Sequence, residues 1–246
     1  MSEKAPKVVT VGFEGPNRVG KSTQCEMLQG YLESKGIPAV IVRGDGSRSG
    51  LGKELGDPES ESWQTIDSSL RNEETDLEEW NRSSYRIARE LLIWRDRVLP
   101  NFVKELDAQT GVLLIDRSVL ARTLVPREMG TPNRLYDEEM RPINETTGMK
   151  KGRTINTEDV MPDIIVQFYA PKQTLLERLG NEQDEKSQLR RRLLEERYDW
   201  YLDAHNYLPP ELTDRIVRIE ATQDPSQIHE NVLKVLAERG LLDSQL

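Results

Sequence analysis

Five short apolar runs interrupt an otherwise polar chain: Val8–Phe13, Ala39–Val42, Val112–Ile115, Ile164–Tyr169 and Ile216–Ile219. They are rich in β-branched residues and bounded by polar or turn-forming ones. Near-continuous apolar runs predict strands covered on both faces, as in parallel sheets. Between them the period lengthens to three or four residues. Cys25, Leu28 and Leu32 share one face of a helix predicted over about 22–34, stopped by Gly36 and Pro38. Ile87, Leu91, Trp94, Val98 and Phe102 mark a longer helix in which Pro100 introduces a kink. Ile228, Val232, Val235 and Leu236 mark a last helix that stops near Gly240. This alternation predicts an α/β fold: a doubly wound, five-stranded parallel sheet with helices on both faces.

Two segments break the alternation. Asp57–Trp80 is acidic and serine-rich, and Pro126–Pro162 is polar with four prolines and the basic run Lys150-Lys151-Gly152-Arg153. The length of the second points to a functional connection, although a charge run also serves as a plain solvated face. Trp63, Trp80, Trp94 and Trp200 suit core or interface anchors, and Cys25 a small core residue.

At 246 residues the chain suits a single domain, 1–246, with a full core. A net charge of −9 argues against a phosphate-tracking nucleic-acid surface, which needs clustered Lys and Arg, and leaves room for a local basic pocket. One cysteine and two histidines leave no intramolecular disulfide and no dedicated zinc site. No apolar run approaches the roughly 18 residues of a membrane span, and residues 1–7 lack the apolar stretch of a secretory leader. The expectation is a cytoplasmic protein with no membrane or nucleic-acid partner.

The first strand runs into Gly15-Pro16-Asn17-Arg18-Val19-Gly20-Lys21-Ser22-Thr23, a full G-x-x-x-x-G-K-[ST] match between a strand and an amphipathic helix. Its glycines let backbone N–H groups turn inward around phosphate oxygens, and the following helix adds the positive end of its dipole. Lys21 is expected at the β- and γ-phosphates of ATP and the Ser22 hydroxyl on Mg²⁺. The loop specifies a nucleotide and no particular reaction. No Asn-Lys-x-Asp guanine signature follows, and there is little room for the extra domains of a motor or transporter.

Ligands of open α/β sheets sit beyond the carboxyl ends of the strands. The second strand ends in Arg43, opening Arg43-Gly44-Asp45-Gly46-Ser47-Arg48, and the third in Asp116-Arg117-Ser118. Both therefore reach the rim that carries the phosphate loop. A carboxylate there can hold a metal or take a proton, and arginines can clamp an anionic acceptor. A surface ion pair is the plainer alternative for Asp116-Arg117.

The stretch Phe13 to Gln24, with Leu114-Ile115-Asp116-Arg117, the gap-free Arg43–Lys53 loop and Met161-Pro162-Asp163-Ile164 followed by Leu175–Leu179, resembles the thymidylate kinase family of nucleoside monophosphate kinases. The resemblance covers nearly the whole chain. It implies transfer of the γ-phosphoryl of ATP, with Mg²⁺, to a (deoxy)nucleoside monophosphate, dTMP to dTDP. It implies catalytic roles for Lys21, Arg18, Asp116 and Arg117, metal ligation by Ser22 and Asp116, and acceptor binding by Glu14, Arg43, Arg95 and Arg117. An acceptor-binding segment over about 43–100, a lid over about 181–192 carrying Arg190, Arg191 and Arg192, and a homodimer are implied as well. The loop Ala221–Pro225 lies where related kinases contact adenine; an ordinary helix cap from Asp224 or Ser226 is the alternative. The lid arginines could equally pair with Glu195 and Glu196 on a helix surface.

Some positions depart from the family. Asn17 stands where eukaryotic-type members carry an aspartate that contacts the acceptor sugar, and Ser118 replaces a Tyr or His. Asp116-Arg117-Ser118 also resembles the third-strand motif of deoxynucleoside kinases, which makes a nucleoside acceptor the near alternative. A non-catalytic nucleotide-binding protein is the alternative from another class.

Overall fold

The computed structural model describes residues 7–43, 95, 99–117, 161–180, 185–203 and 213–242. In chain order its elements are β1 (Lys7–Glu14), α1 (Lys21–Ser34), β2 (Ala39–Arg43), α2 (Leu99–Glu105), β3 (Thr110–Asp116), β4 (Ile164–Tyr169), α3 (Lys172–Leu179), α4 (Glu185–Asp203), β5 (Ile216–Glu220) and α5 (Pro225–Glu238). The five strands expected from the apolar runs are all present, most extended by a residue or two into polar flanks. They form one parallel sheet in the order β2-β3-β1-β4-β5. Because β1 lies at the centre and its neighbours come much later in the chain, its carboxyl end opens at the place where strand order reverses.

Alternation along β3 explains how both faces are covered. Val112 and Leu114 join a core with Val9, Val11 and Phe13 of β1, Cys25, Leu28 and Leu32 of α1, and Ile228, Val232 and Leu236 of α5. Gly111 belongs to the opposite face, where a Cβ would lie 2.3 Å from Val103 Cγ2 and 3.3 Å from Leu99. The missing side chain lets α2 press directly on the sheet. Pro100 lies in α2, and residues 96–98, where the expected kink would show, are outside the described residues. Phe13 and Phe168, on neighbouring strands, stack at 5.8 Å between ring centroids. On the far side of β1, Thr10 and Asp163 exchange bonds: Thr10 N and Oγ1 donate to Asp163 Oδ2 at 2.7 and 2.8 Å, and Asp163 N donates to Thr10 Oγ1 at 2.8 Å. The lead-in to β4 is thereby stapled to the central strand.

Among the described residues no helix is long and apolar enough to cross a membrane. The expectations for the loop 44–53, the segment 57–80, the helix from Ile87 to Val98 except Arg95, residues 118–123, the segment 126–160, and the first part of the lid, 181–184, lie outside the described residues. So do Trp63, Trp80 and Trp94, and the side chains of Arg43, Glu196 and Trp200.

Candidate functional site: the phosphate loop and the β3 tip

Residues 15–20 connect β1 to α1 through three left-handed backbone positions: Gly15 (φ 133°), Arg18 (φ 65°) and Gly20 (φ 107°). At Gly15 glycine is required twice over, since a Cβ would also lie 2.3 Å from the Phe168 carbonyl oxygen. The loop thus rests against the carboxyl end of β4. Pro16 and Val19 are buried, Asn17 is half-buried, and Arg18 is exposed at the crest. Val19 belongs to the hydrophobic core, so only its backbone is available to a phosphate. Thr23 is exposed on the first turn of α1, beyond Ser22.

Lys21 is 6% exposed. Its ammonium donates to the carbonyl oxygens of Gly15 and Pro16, each at 2.8 Å. Burial lowers its pKa to about 8; the nearby Arg117 charge pushes the same way, and Asp116 and Glu14 oppose. Glu14 is itself buried at the end of β1. A lysine held in this way gains strongly from any polyanion delivered to the loop, because phosphate oxygens replace the lost hydration.

The other half of the site comes from β3. Arg43 at the end of β2 is in register with Asp116, and Phe13 of β1 is in register with the same residue from the other side. Asp116 is buried, and the Ser22 hydroxyl donates to its Oδ2 at 2.6 Å. Arg117 then leaves the strand with φ 70° while its N–H still bonds to the Phe13 carbonyl at 3.0 Å. That turn swings its guanidinium over the phosphate loop, where Nη2 donates to Asn17 Oδ1. Left-handed backbone at a non-glycine residue costs of order 1–3 kcal/mol and gathers at functional sites.

The structure therefore brings Glu14, the loop 15–20, Lys21, Ser22, Asp116 and Arg117 together, with the Arg43 backbone alongside. Arg95 is half-buried, and its chain neighbours lie outside the described residues. Arg190 and Arg191 are half-buried and Arg192 exposed on α4, where Arg191 Nη2 donates to the Gly180 carbonyl at 2.7 Å.

Two residues matter more than sequence reasoning allowed. Gln24, one turn into α1, is 2% exposed and donates through Nε2 to the Pro225 carbonyl at 2.8 Å. Arg178 of α3 donates to the Ala221 carbonyl at 2.8 Å. Both grip the loop after β5. The polar position on the buried face of an otherwise apolar helix was the available signal for Gln24; Arg178 offered none.

No family model matches the chain. Among curated proteins, thymidylate kinase from Fervidobacterium nodosum is 26% identical over 229 residues, covering 92% of this chain and 96% of that one. A 33-residue stretch is 52% identical to thymidylate kinase from Rickettsia bellii, 13% of this chain and 16% of that one. Among solved structures, thymidylate kinase from Candida albicans superposes with a TM-score of 0.53 over 95% of this chain and 93% of that one, at 14% identity. The chain is thymidylate kinase-like in sequence and in fold. The resemblance read from Phe13–Gln24 and Leu114–Arg117 thus extends over 92% of the chain, and the parallel architecture expected from the apolar runs is shared with the Candida albicans thymidylate kinase structure.

Proposed function

We propose that this chain is an ATP-dependent nucleoside monophosphate kinase of thymidylate kinase type, with dTMP as acceptor and dTDP and ADP as products. The Ser22–Asp116 contact beside the buried Lys21 carries this reading. A carboxylate from the end of β3 meets the first helical hydroxyl of the phosphate loop, as a nucleotide-hydrolysing or nucleotide-transferring site requires. The full-length similarity to a curated thymidylate kinase supports the acceptor class.

The donor set fits Mg²⁺. A serine hydroxyl and a carboxylate are hard oxygen ligands, and Mg²⁺ is commonly bound by one or two such groups together with water and substrate phosphates. Among the described residues no group of three His, Cys, Asp or Glu side chains gathers, and a phosphate-shared ion needs none. Ser22 and Asp116 would hold Mg²⁺, which would supply charge neutralisation on the donor phosphates.

In the reaction an oxygen of the acceptor monophosphate forms a bond to the γ-phosphorus while the bond to the β,γ-bridging oxygen breaks, and that electron pair leaves with ADP. Lys21 neutralises charge on the transferring group from inside the loop, and Arg18 does so from the crest, an effect worth roughly 10³–10⁵ in rate for a well-placed arginine. Arg117 and Arg43 hold the acceptor phosphate from the β3 and β2 tips, Glu14 contributes to the acceptor side, and Arg95 faces the base. Arg190, Arg191 and Arg192 act from a lid over about 181–192 that excludes water. A homodimer and a cytoplasmic location accompany this reading.

Purified protein incubated with MgATP and a panel of nucleosides and nucleoside monophosphates, followed by ADP release, tests it. Turnover highest with dTMP and abolished by Lys21→Ala is the expected result. Turnover with unphosphorylated nucleosides alone would replace it with a deoxynucleoside kinase. ATP binding without turnover on any acceptor would replace it with a non-catalytic binding protein.

A further inference from the structure

The rim of the sheet has two sides. Asp116 and Arg117 leave β3 on one side of the phosphate loop, so the acceptor's anionic group belongs there. On the other side of β1 lie β4 and β5, and the loop Ala221–Pro225 rises from β5 at the same edge. With the acceptor assigned to the β3 side, the base of a nucleoside triphosphate whose phosphates occupy the loop after β1 falls to the β5 side.

The loop 221–225 is fastened from several directions. Ala221 N donates to the Tyr169 carbonyl at 2.7 Å, and Ala221 O accepts from Arg178. Asp224 caps α5 through Ser226 N and Gln227 N at 2.9 and 3.1 Å. Thr222 and Gln223 remain exposed between these ties. The helix cap expected of Asp224 is present, yet it does not account for Gln24. Gln24 reaches across 201 positions of sequence to Pro225, and its carbonyl oxygen Oε1 is buried with no hydrogen-bond partner among the described residues. The accepting Pro225 carbonyl fixes which end of the amide faces it. A purely structural position at 2% exposure is better served by Met or Leu, since an orphaned amide oxygen carries a desolvation cost. What the amide provides is one directed bond between the phosphate-loop helix and the β5 loop.

We propose that Gln24 is a positioning residue that locks the loop Ala221–Pro225 in register with the phosphate loop, so that the two receive base and triphosphate as one rigid seat. The inference rests on the nucleotide-kinase reading above for the ligand class, and its test uses binding, which needs no acceptor.

The affinities of ATP and of inorganic tripolyphosphate, each with Mg²⁺, are compared by calorimetry for the wild type and Gln24→Met. The wild type is expected to bind ATP at least about tenfold more tightly than tripolyphosphate. In Gln24→Met the ATP affinity falls about tenfold while tripolyphosphate binds within about twofold of wild type. In turnover, KM for ATP rises by the same factor, with kcat and the acceptor KM unchanged. Equal loss of both ligands would make Gln24 a structural support of the phosphate loop and overturn the proposal. Unchanged affinity for both, or a wild type that does not prefer ATP, would overturn it as well. Should Gln24→Met fail to fold, Arg178→Met releases the same loop from an exposed position and is held to the same split. An enzyme without turnover on any acceptor would sink the kinase reading and leave this comparison standing.

Discussion

Ser22 and Asp116 meet across 94 positions of sequence, the serine hydroxyl donating to Oδ2 at 2.6 Å. The bond ties a buried carboxylate at the end of β3 to the first turn of the helix that follows the phosphate loop. Asp116→Asn keeps the shape and removes the charge. Nucleotide binding is expected to survive while turnover falls by about 10²–10⁴. Equal losses in ATP affinity and kcat would instead assign Asp116 to ground-state binding.

Lys21 should make both stability and nucleotide binding depend on pH. Unfolded, the lysine titrates near 10.5; folded, it releases its proton at about 8. Below about 8 both states carry the charge and the native state bears the whole burial penalty. Between the two values the unfolded chain alone holds the proton, so stability rises with pH through that window. The rise is up to about 3 kcal/mol. Urea denaturation at pH 7.5 and 10 should show it in the wild type and not in Lys21→Met. A bound polyphosphate restores the charge, so ATP binding at pH 9 takes up a proton, seen as a buffer-dependent enthalpy.

Arg117 donates to the neutral amide oxygen of Asn17. Asn17→Asp would set a carboxylate there. The added negative charge raises the Lys21 pKa, so proton uptake at pH 9 shrinks. Arg117→Gly removes the guanidinium while relieving the left-handed strain at φ 70°. It should lose acceptor binding and keep or gain thermal stability, whereas Arg117→Ala loses both.

The two loop glycines should respond differently to alanine. At Gly15 the new Cβ meets the Phe168 carbonyl oxygen at 2.3 Å, and at Gly20 nothing among the described residues lies within 4 Å. Gly20→Ala carries backbone strain alone, about 1–3 kcal/mol, or a drop of a few degrees in Tm. Gly15→Ala must in addition push the loop off β4. A larger fall in Tm and loss of nucleotide binding are expected by thermal melting and calorimetry.

The strands were legible because this sheet is covered on both faces, so burial writes each one as an unbroken apolar run. Val112–Ile115 needs no alternation to be recognised. The phosphate loop was legible because its conformation demands glycines at set spacings and its chemistry demands Lys21 and Ser22. What could not be read was the set of contacts that depend on how distant strand ends face one another. Nothing local to Arg117 announces a left-handed backbone, since a basic residue after a strand usually continues extended. The Asn17–Arg117 bond requires knowing that β1 and β3 are neighbours. Gln24 looked like a motif residue, and its reach to Pro225 exists only once α1 and α5 pack together. Val19 reads as a loop residue beside the phosphates, while its side chain is spent on the core.

The placement of β1 at the centre of the sheet has a consequence for the order of assembly. Its partners β3 and β4 begin at Thr110 and Ile164, so neither exists until about a hundred residues after β1 have been made. At about 5–20 residues per second, the apolar run Val8–Phe13 waits roughly 8–30 s for β4 to be completed. Sheet formation is then a late event dominated by long loop closures, the regime in which folding is slow. For that interval a strand that ends buried between two neighbours has unpaired edges, and the Thr10–Asp163 staple marks the point in synthesis at which β4 can begin to cover one of them.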